Sequence, residues 1–76
     1  MVTAFMLINV KSGTDEIVVE RLKDYREVKE VYEIYGAYDI LVKIEEDDNK
    51  KIKEVESKFM RLRDIKTIDT IRVLKK

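Results

Sequence analysis

A chain of 76 residues makes one domain and buries only a modest share of its surface, so a domain of this size usually needs reinforcement. It has no cysteine and no histidine, which excludes disulfides, thiolate metal sites, thiol nucleophiles and the commonest general base near neutral pH. Sixteen basic and sixteen acidic residues cancel and are interspersed, leaving no positive surplus to neutralise a nucleic-acid backbone. The longest apolar run, residues 4–8, is far short of a membrane span, and no basic region followed by a long apolar segment marks a signal peptide. A cytoplasmic protein with no direct nucleic-acid or membrane contact is therefore expected, with oligomerisation as its remaining reinforcement. Many Lys, Glu and Ile with no Gln give the composition a thermophilic character.

Residues 2–11 read as a strand with Val2, Ala4, Met6, Ile8 and Val10 on one face and Thr3, Phe5, Leu7, Asn9 and Lys11 on the other. Both faces are apolar over the first eight residues. Ser12, Gly13 and Thr14 supply a turn and a helix cap, with Asp15 and Glu16 favourably placed in the first turn. Ile17, Val18, Leu22 and Tyr25 recur at helical spacing, predicting a helix to about Tyr25. The β-rich runs 28–35 and 38–45 flank Gly36 and Ala37, predicting a hairpin with a tight turn in which Gly36 takes a positive φ. Tyr38, Ile40, Val42 and Ile44 form one apolar face of the second run. Asp47, Asp48 and Asn49 are three candidate caps for a second helix, whose stripe is Ile52, Val55, Phe59 and Leu62. Residues 65–74 read as a last strand, ahead of Lys75 and Lys76.

This order predicts an α+β fold: a ferredoxin-like βαββαβ sandwich, one domain over 1–76, with a four-stranded antiparallel sheet. Right-handed crossovers put both helices on the same face. The other face is then expected to carry Thr3, Phe5, Leu7, Val31, Glu33, Tyr35, Leu41, Ile68, Thr70 and Leu74, a mixed apolar surface too large to leave in water. Burying about 400 Å² of apolar area per chain contributes roughly 10 kcal/mol before association costs. A face-to-face dimer through Thr3, Phe5, Leu7, Val31 and Leu41 is the simplest arrangement.

Catalytic constellations are scarce. Ser12 and Ser57 have no His or Cys partner, and Gly13 and Gly36 are too few for a phosphate-cradling loop. The acidic run Glu45, Glu46, Asp47 and Asp48 reads as helix-capping charge. The basic run of Lys50, Lys51 and Lys53 reads as a solvated helix face. Glu33 and Asp39 flank one hairpin turn and are the candidate carboxylate pair. No catalytic residue, metal or cofactor is assigned, and the chain is read as non-enzymatic. Tyr25 falls on the helix stripe and is expected in the core. Tyr32, Tyr35 and Tyr38 crowd the hairpin, either packing across it or forming a small pocket around Gly36. In the pocket reading, Asp39 holds the ammonium of an amino-acid-like ligand, and N–H groups at Gly36 and Ala37 receive its carboxylate.

The stretch from Val28 to Lys43 carries V-x-x-V-x-x-x-x-G-x-Y-D-x-x-V-K, through Val28, Val31, Gly36, Tyr38, Asp39, Val42 and Lys43. This closely resembles the effector-binding domain of the Lrp/AsnC (leucine-responsive/feast–famine) family, and the likeness extends over essentially the whole chain. Where family members often carry Pro-Gly before the last strand, this chain has Arg63 and Asp64. The chain begins directly with the effector domain, resembling its stand-alone version without the helix-turn-helix DNA-binding domain. The resemblance implies dimers formed through sheet faces, which assemble further into rings, often octamers. It also implies small effectors, usually amino acids, bound in clefts between adjoining dimers. Carried over by position, the pocket uses Glu33, Tyr35, Gly36, Ala37, Tyr38 and Asp39, with Asn49, Thr70 and Ile71 as weaker additions.

The leading expectation is an amino-acid-responsive module that regulates transcription by co-assembling with full-length relatives. Three alternatives stay open: an ACT-type regulatory domain, though Lys11-Ser12-Gly13-Thr14 lacks the Asp-x-Pro-Gly turn; a small enzyme of the dimeric α/β barrel type; and a pure oligomerisation module.

Overall fold

A computed structural model describes residues 1–74; Lys75 and Lys76 lie outside the described residues. The elements are β1 (Val2–Val10), α1 (Asp15–Lys23), β2 (Val28–Glu33), β3 (Ile40–Glu46), α2 (Asn49–Met60) and β4 (Ile65–Arg72). The strands form one antiparallel sheet in the order β2-β3-β1-β4, the ferredoxin-like arrangement expected from the element order. Its centre is the β1–β3 pair, where Ala4, Met6 and Ile8 oppose Ile44, Val42 and Ile40. These residues are fully buried, and Val18, Leu22, Ile52 and Phe59 of the two helices close over them. Fourteen buried hydrophobic residues form this core, with no buried polar residue among those described.

The element ends are set locally. Asp48, one of the three candidate caps, is the N-cap of α2: it is extended at φ −150° and its side chain accepts from the Lys51 N–H at 2.9 Å. Thr14 occupies the N-cap of α1 without a side-chain cap; its hydroxyl donates backwards to the Lys11 carbonyl at 2.7 Å. That helix ends at Lys23, short of Tyr25. Tyr25 packs edge-on against Phe59, with ring centroids 4.9 Å apart, so it joins the core from the connection that follows. The last strand ends at Arg72 rather than at residue 74. Before it, Asp64 takes φ 81°, an uncommon conformation for a residue with a Cβ and least so for Asp or Asn. Asp64 thus does what a turn glycine does, while its carbonyl accepts from the Lys11 N–H at 2.9 Å and its carboxylate faces Arg21 at 3.8 Å.

The outer strands correct the predicted faces. Opposed residues share a face of a sheet, and Val31 opposes Val42 while Glu33 opposes Ile40. Ile68 and Thr70 oppose Ile8 and Met6. Val31, Glu33, Ile68 and Thr70 therefore lie on the helix side, where strict alternation had put them on the open side. The cause is one extra residue in each edge strand. Val28 and Glu30 oppose the consecutive pair Ile44 and Lys43, leaving Lys29 over; Ile65 and Thr67 oppose Val10 and Asn9, leaving Lys66 over. These are β-bulges, and each puts two apolar residues three apart on one face: Val28 with Val31, Ile65 with Ile68. The open face instead carries Thr3, Phe5, Leu7 and Leu41 as expected, joined by Tyr32, Lys43, Asp69 and Ile71.

Candidate functional site

Between β2 and β3 the chain makes a six-residue loop, 34–39, wider than the tight turn predicted at Gly36. Its base is fastened and its apex is open. The Ile34 N–H donates to the Asp39 carbonyl at 2.9 Å, and the Asp39 N–H donates to the Ile8 carbonyl at 3.0 Å. Asp39 Oδ2 accepts from the Val10 N–H at 2.9 Å, so one residue ties the loop to β1 through both main chain and side chain. At the apex, Gly36 has φ 115°, the positive φ predicted for it, which a residue with a Cβ adopts only under strain. The N–H groups of Tyr35, Gly36 and Ala37 make no backbone hydrogen bond to any described residue. Tyr35 is 104% exposed.

Tyr38 points away from this apex. Its hydroxyl donates to Asp69 Oδ2 on β4 at 2.5 Å. The Asp69 hydrogen bond, with the charge beside it, pushes the Tyr38 phenol above its usual range. Glu33 turns to the helix side, where a hydrogen bond with Asp15 at the start of α1 raises its carboxyl, reinforced by desolvation and by the charges of Asp15 and Glu16. Glu33 and Asp39, expected as a pair, thus have different partners on different elements. An open depression of about 350 Å³ lies beside Asp39, lined by Lys11, Gly13, Asp15 and Lys66 among others.

The remaining residues carried over from the motif are not gathered here by one chain. Asn49 begins α2 just after Glu46, which pairs with Val2, whereas the loop adjoins Ile40, which pairs with Ile8. They stand at opposite ends of β3, roughly 20 Å apart at strand rise. Thr70 and Ile71 are neighbours on a strand and so face opposite ways. The Thr70 hydroxyl donates to Glu56 of α2, and Ile71 is half exposed on the open side.

At the Glu46 end, a wider groove of about 910 Å³ is bounded by α2, the α1–β2 connection and the end of β3. Lys58 crosses it, bonded to Glu27 at 2.7 Å and standing 5.0 Å above the Tyr25 ring. The Lys58 hydrogen bond holds the Glu27 carboxyl below its usual range against the opposing effect of burial.

A family model described as the Lrp/AsnC ligand binding domain matches residues 3–76. The chain belongs to the Lrp/AsnC ligand-binding domain family. Among curated relatives, the HTH-type transcriptional regulator FL11 of Pyrococcus furiosus is 39% identical over 51 residues, which cover 67% of this chain and 34% of FL11. The chain thus spans about a third of the length of the curated relatives it matches. The crystal structure of FFRP-DM1 is 36% identical with a TM-score of 0.92, covering 97% of this chain and 100% of that one. E. coli AsnC is 26% identical with a TM-score of 0.91, covering 99% of this chain and 52% of AsnC. The resemblance read from Val28 to Lys43 therefore holds for the whole chain, and a Pyrococcus relative fits the thermophilic composition. Within this Lrp/AsnC domain, sequence reasoning missed Asp69, Asp15 and Val10. Each touches a motif residue only through strand pairing or helix docking, over separations of 31 residues for Tyr38–Asp69 and 29 for Val10–Asp39. The alternation that places Leu7 on the open face, extended through the β1–β4 register, is the signal that finds Asp69.

Proposed function

We propose that residues 1–76 act as one cytoplasmic, non-catalytic domain that binds an amino acid at the 34–39 loop and works as a homo-oligomer in transcriptional regulation. The observation that carries this reading is the loop itself: its base is pinned to β1, and three apical N–H groups have no backbone partner among the described residues. Backbone N–H groups presented together around a positive-φ glycine suit a carboxylate. Asp39 stands at the foot of the same loop, where its negative charge would meet the ligand ammonium. Asn49 lies too far away to join it within one chain, so it would enter the site from an adjoining copy. Pairing through Thr3, Phe5, Leu7 and Leu41 gives the dimer, and contact between dimers gives a larger ring such as an octamer. Without a basic surplus, the module would reach DNA only through partners, for which full-length Lrp/AsnC relatives are the candidates.

The test is a calorimetric titration of the twenty amino acids into the purified protein. Saturable binding of one of them, weakened in Asp39→Asn, supports the reading. Silence across the panel with an intact oligomer refutes it. A pure assembly module is the second reading, favoured by a specific observation: Asp39 and Tyr38 both have structural partners, Val10 and Asp69, which account for them without a ligand.

A further inference from the structure

We propose that the Tyr38–Asp69 hydrogen bond couples the 34–39 loop to association through the open sheet face, with Tyr38 acting as a positioning residue rather than a ligand contact. The inference rests on the association surface proposed above. Tyr38 belongs to the loop, yet its hydroxyl reaches Asp69 on β4. In the sheet order β2-β3-β1-β4, a side chain leaving the β2–β3 loop must cross β1 to arrive there. Asp69 opposes Leu7, which also opposes Leu41, so the crossing lies on the open side, over the strand that presents Phe5 and Leu7. The bond Asn9 Nδ2 to Thr67 Oγ1, at 3.3 Å, occupies the same side one step along.

The two ends of Tyr38 therefore report to different parts of the molecule. Its backbone adjoins Asp39, whose three hydrogen bonds fix the loop base. Its ring forms part of the surface on which a second copy would seat. A partner covering that surface holds the Tyr38 ring against Asp69, excludes water from a hydrogen bond to a charged acceptor and strengthens it. A loop restrained at Tyr38 then opens less often. Linkage makes the effect reciprocal: whatever orders the loop favours association to the same degree.

The experiment needs no ligand. Hydrogen–deuterium exchange at the amides of Ile34 and Asp39, whose hydrogen bonds close the loop base, is followed at protein concentrations above and below the dissociation constant of the oligomer, set by sedimentation. In the native protein these amides are expected to exchange at least about threefold more slowly in the associated form. In Tyr38→Phe and in Asp69→Ala the rates at the two concentrations should coincide, and the double variant should behave like either single one. Asp69 is exposed, so Asp69→Ala keeps the test open if Tyr38→Phe folds poorly. Native exchange that ignores concentration, or variants that keep the native dependence, overturn the proposal. Amino-acid silence in calorimetry beside an intact concentration effect would sink the effector reading alone.

Discussion

Asp39 and Val10, 29 residues apart in sequence, are joined by a 2.9 Å hydrogen bond from a main-chain N–H to a carboxylate oxygen. The bond fastens the foot of the 34–39 loop to the end of β1. It also separates two roles of one side chain, because an amide can replace the acceptor but not the charge. Asp39→Ala leaves the Val10 N–H without this partner, at a cost of about 1–2 kcal/mol. For a domain of this size that lowers Tm by roughly 5–10 °C. Asp39→Asn should melt close to the native protein and yet bind an amino acid more weakly. Melting and calorimetry on the two variants test both roles; equal affinity in native and Asn proteins removes Asp39 from the ligand site.

Phe5→Asp or Leu7→Asp should convert the oligomer to a smaller species while leaving the fold intact, because both side chains face the open side of β1. Light scattering reads the mass and circular dichroism the fold. An unchanged mass in both variants rules out association through this face.

Val31→Asp should behave differently. Val31 packs against the buried core on the helix side, so a carboxylate there is placed in apolar surroundings without a partner. The expected outcome is a marked fall in Tm. A Val31→Asp protein that melts normally but loses its partner would restore Val31 to the open face.

Glu27 and Glu33 predict opposite responses to acid. The Glu27 carboxyl is depressed from 4.5, chiefly by its Lys58 hydrogen bond. Its stabilising contribution is therefore complete above that value and lost as pH falls below it. Glu27→Gln should cost about 1 kcal/mol at neutral pH and much less at pH about 3.

The Glu33 carboxyl is raised from 4.5, chiefly by its hydrogen bond with Asp15. Its favourable contribution is present below 4.5 and lost as pH climbs through the raised value, leaving two facing negative charges. Glu33→Gln should therefore stabilise the protein at pH about 7 and do little at pH about 3. Urea titrations of native protein, Glu27→Gln and Glu33→Gln at both pH values give the signs directly. Two variants shifting in the same direction would contradict these pairings.

The order of elements and the central strands were legible in the sequence because β1 and β3 keep an unbroken alternation, so Ala4, Met6, Ile8, Ile40, Val42 and Ile44 identify their own face. The family was legible from Gly36, Tyr38, Asp39 and Lys43. The edge strands were not, because an extra residue at Lys29 or Lys66 shows itself only when the strand is laid against its neighbour. Val28 with Val31, and Ile65 with Ile68, look like a helical spacing and are in fact a bulged strand. The partners of the site residues were hidden for the same reason: Asp69 and Val10 meet Tyr38 and Asp39 through pairing, which local spacing does not encode. The loop was read as a tight turn because Gly36 suggests one, whereas the Ile34–Asp39 backbone bond closes the hairpin earlier.

The two lysine bulges have a consequence for how large an assembly can grow. A sheet with straight outer strands offers two rows of evenly spaced N–H and C=O groups on which further chains can add without end. Here both outer strands, β2 and β4, break that spacing, and each break carries a lysine, Lys29 or Lys66. Ribbon-like growth from either margin is thereby discouraged. Under the proposed association, copies of this chain would meet through faces and loops rather than by strand addition along the sheet margins.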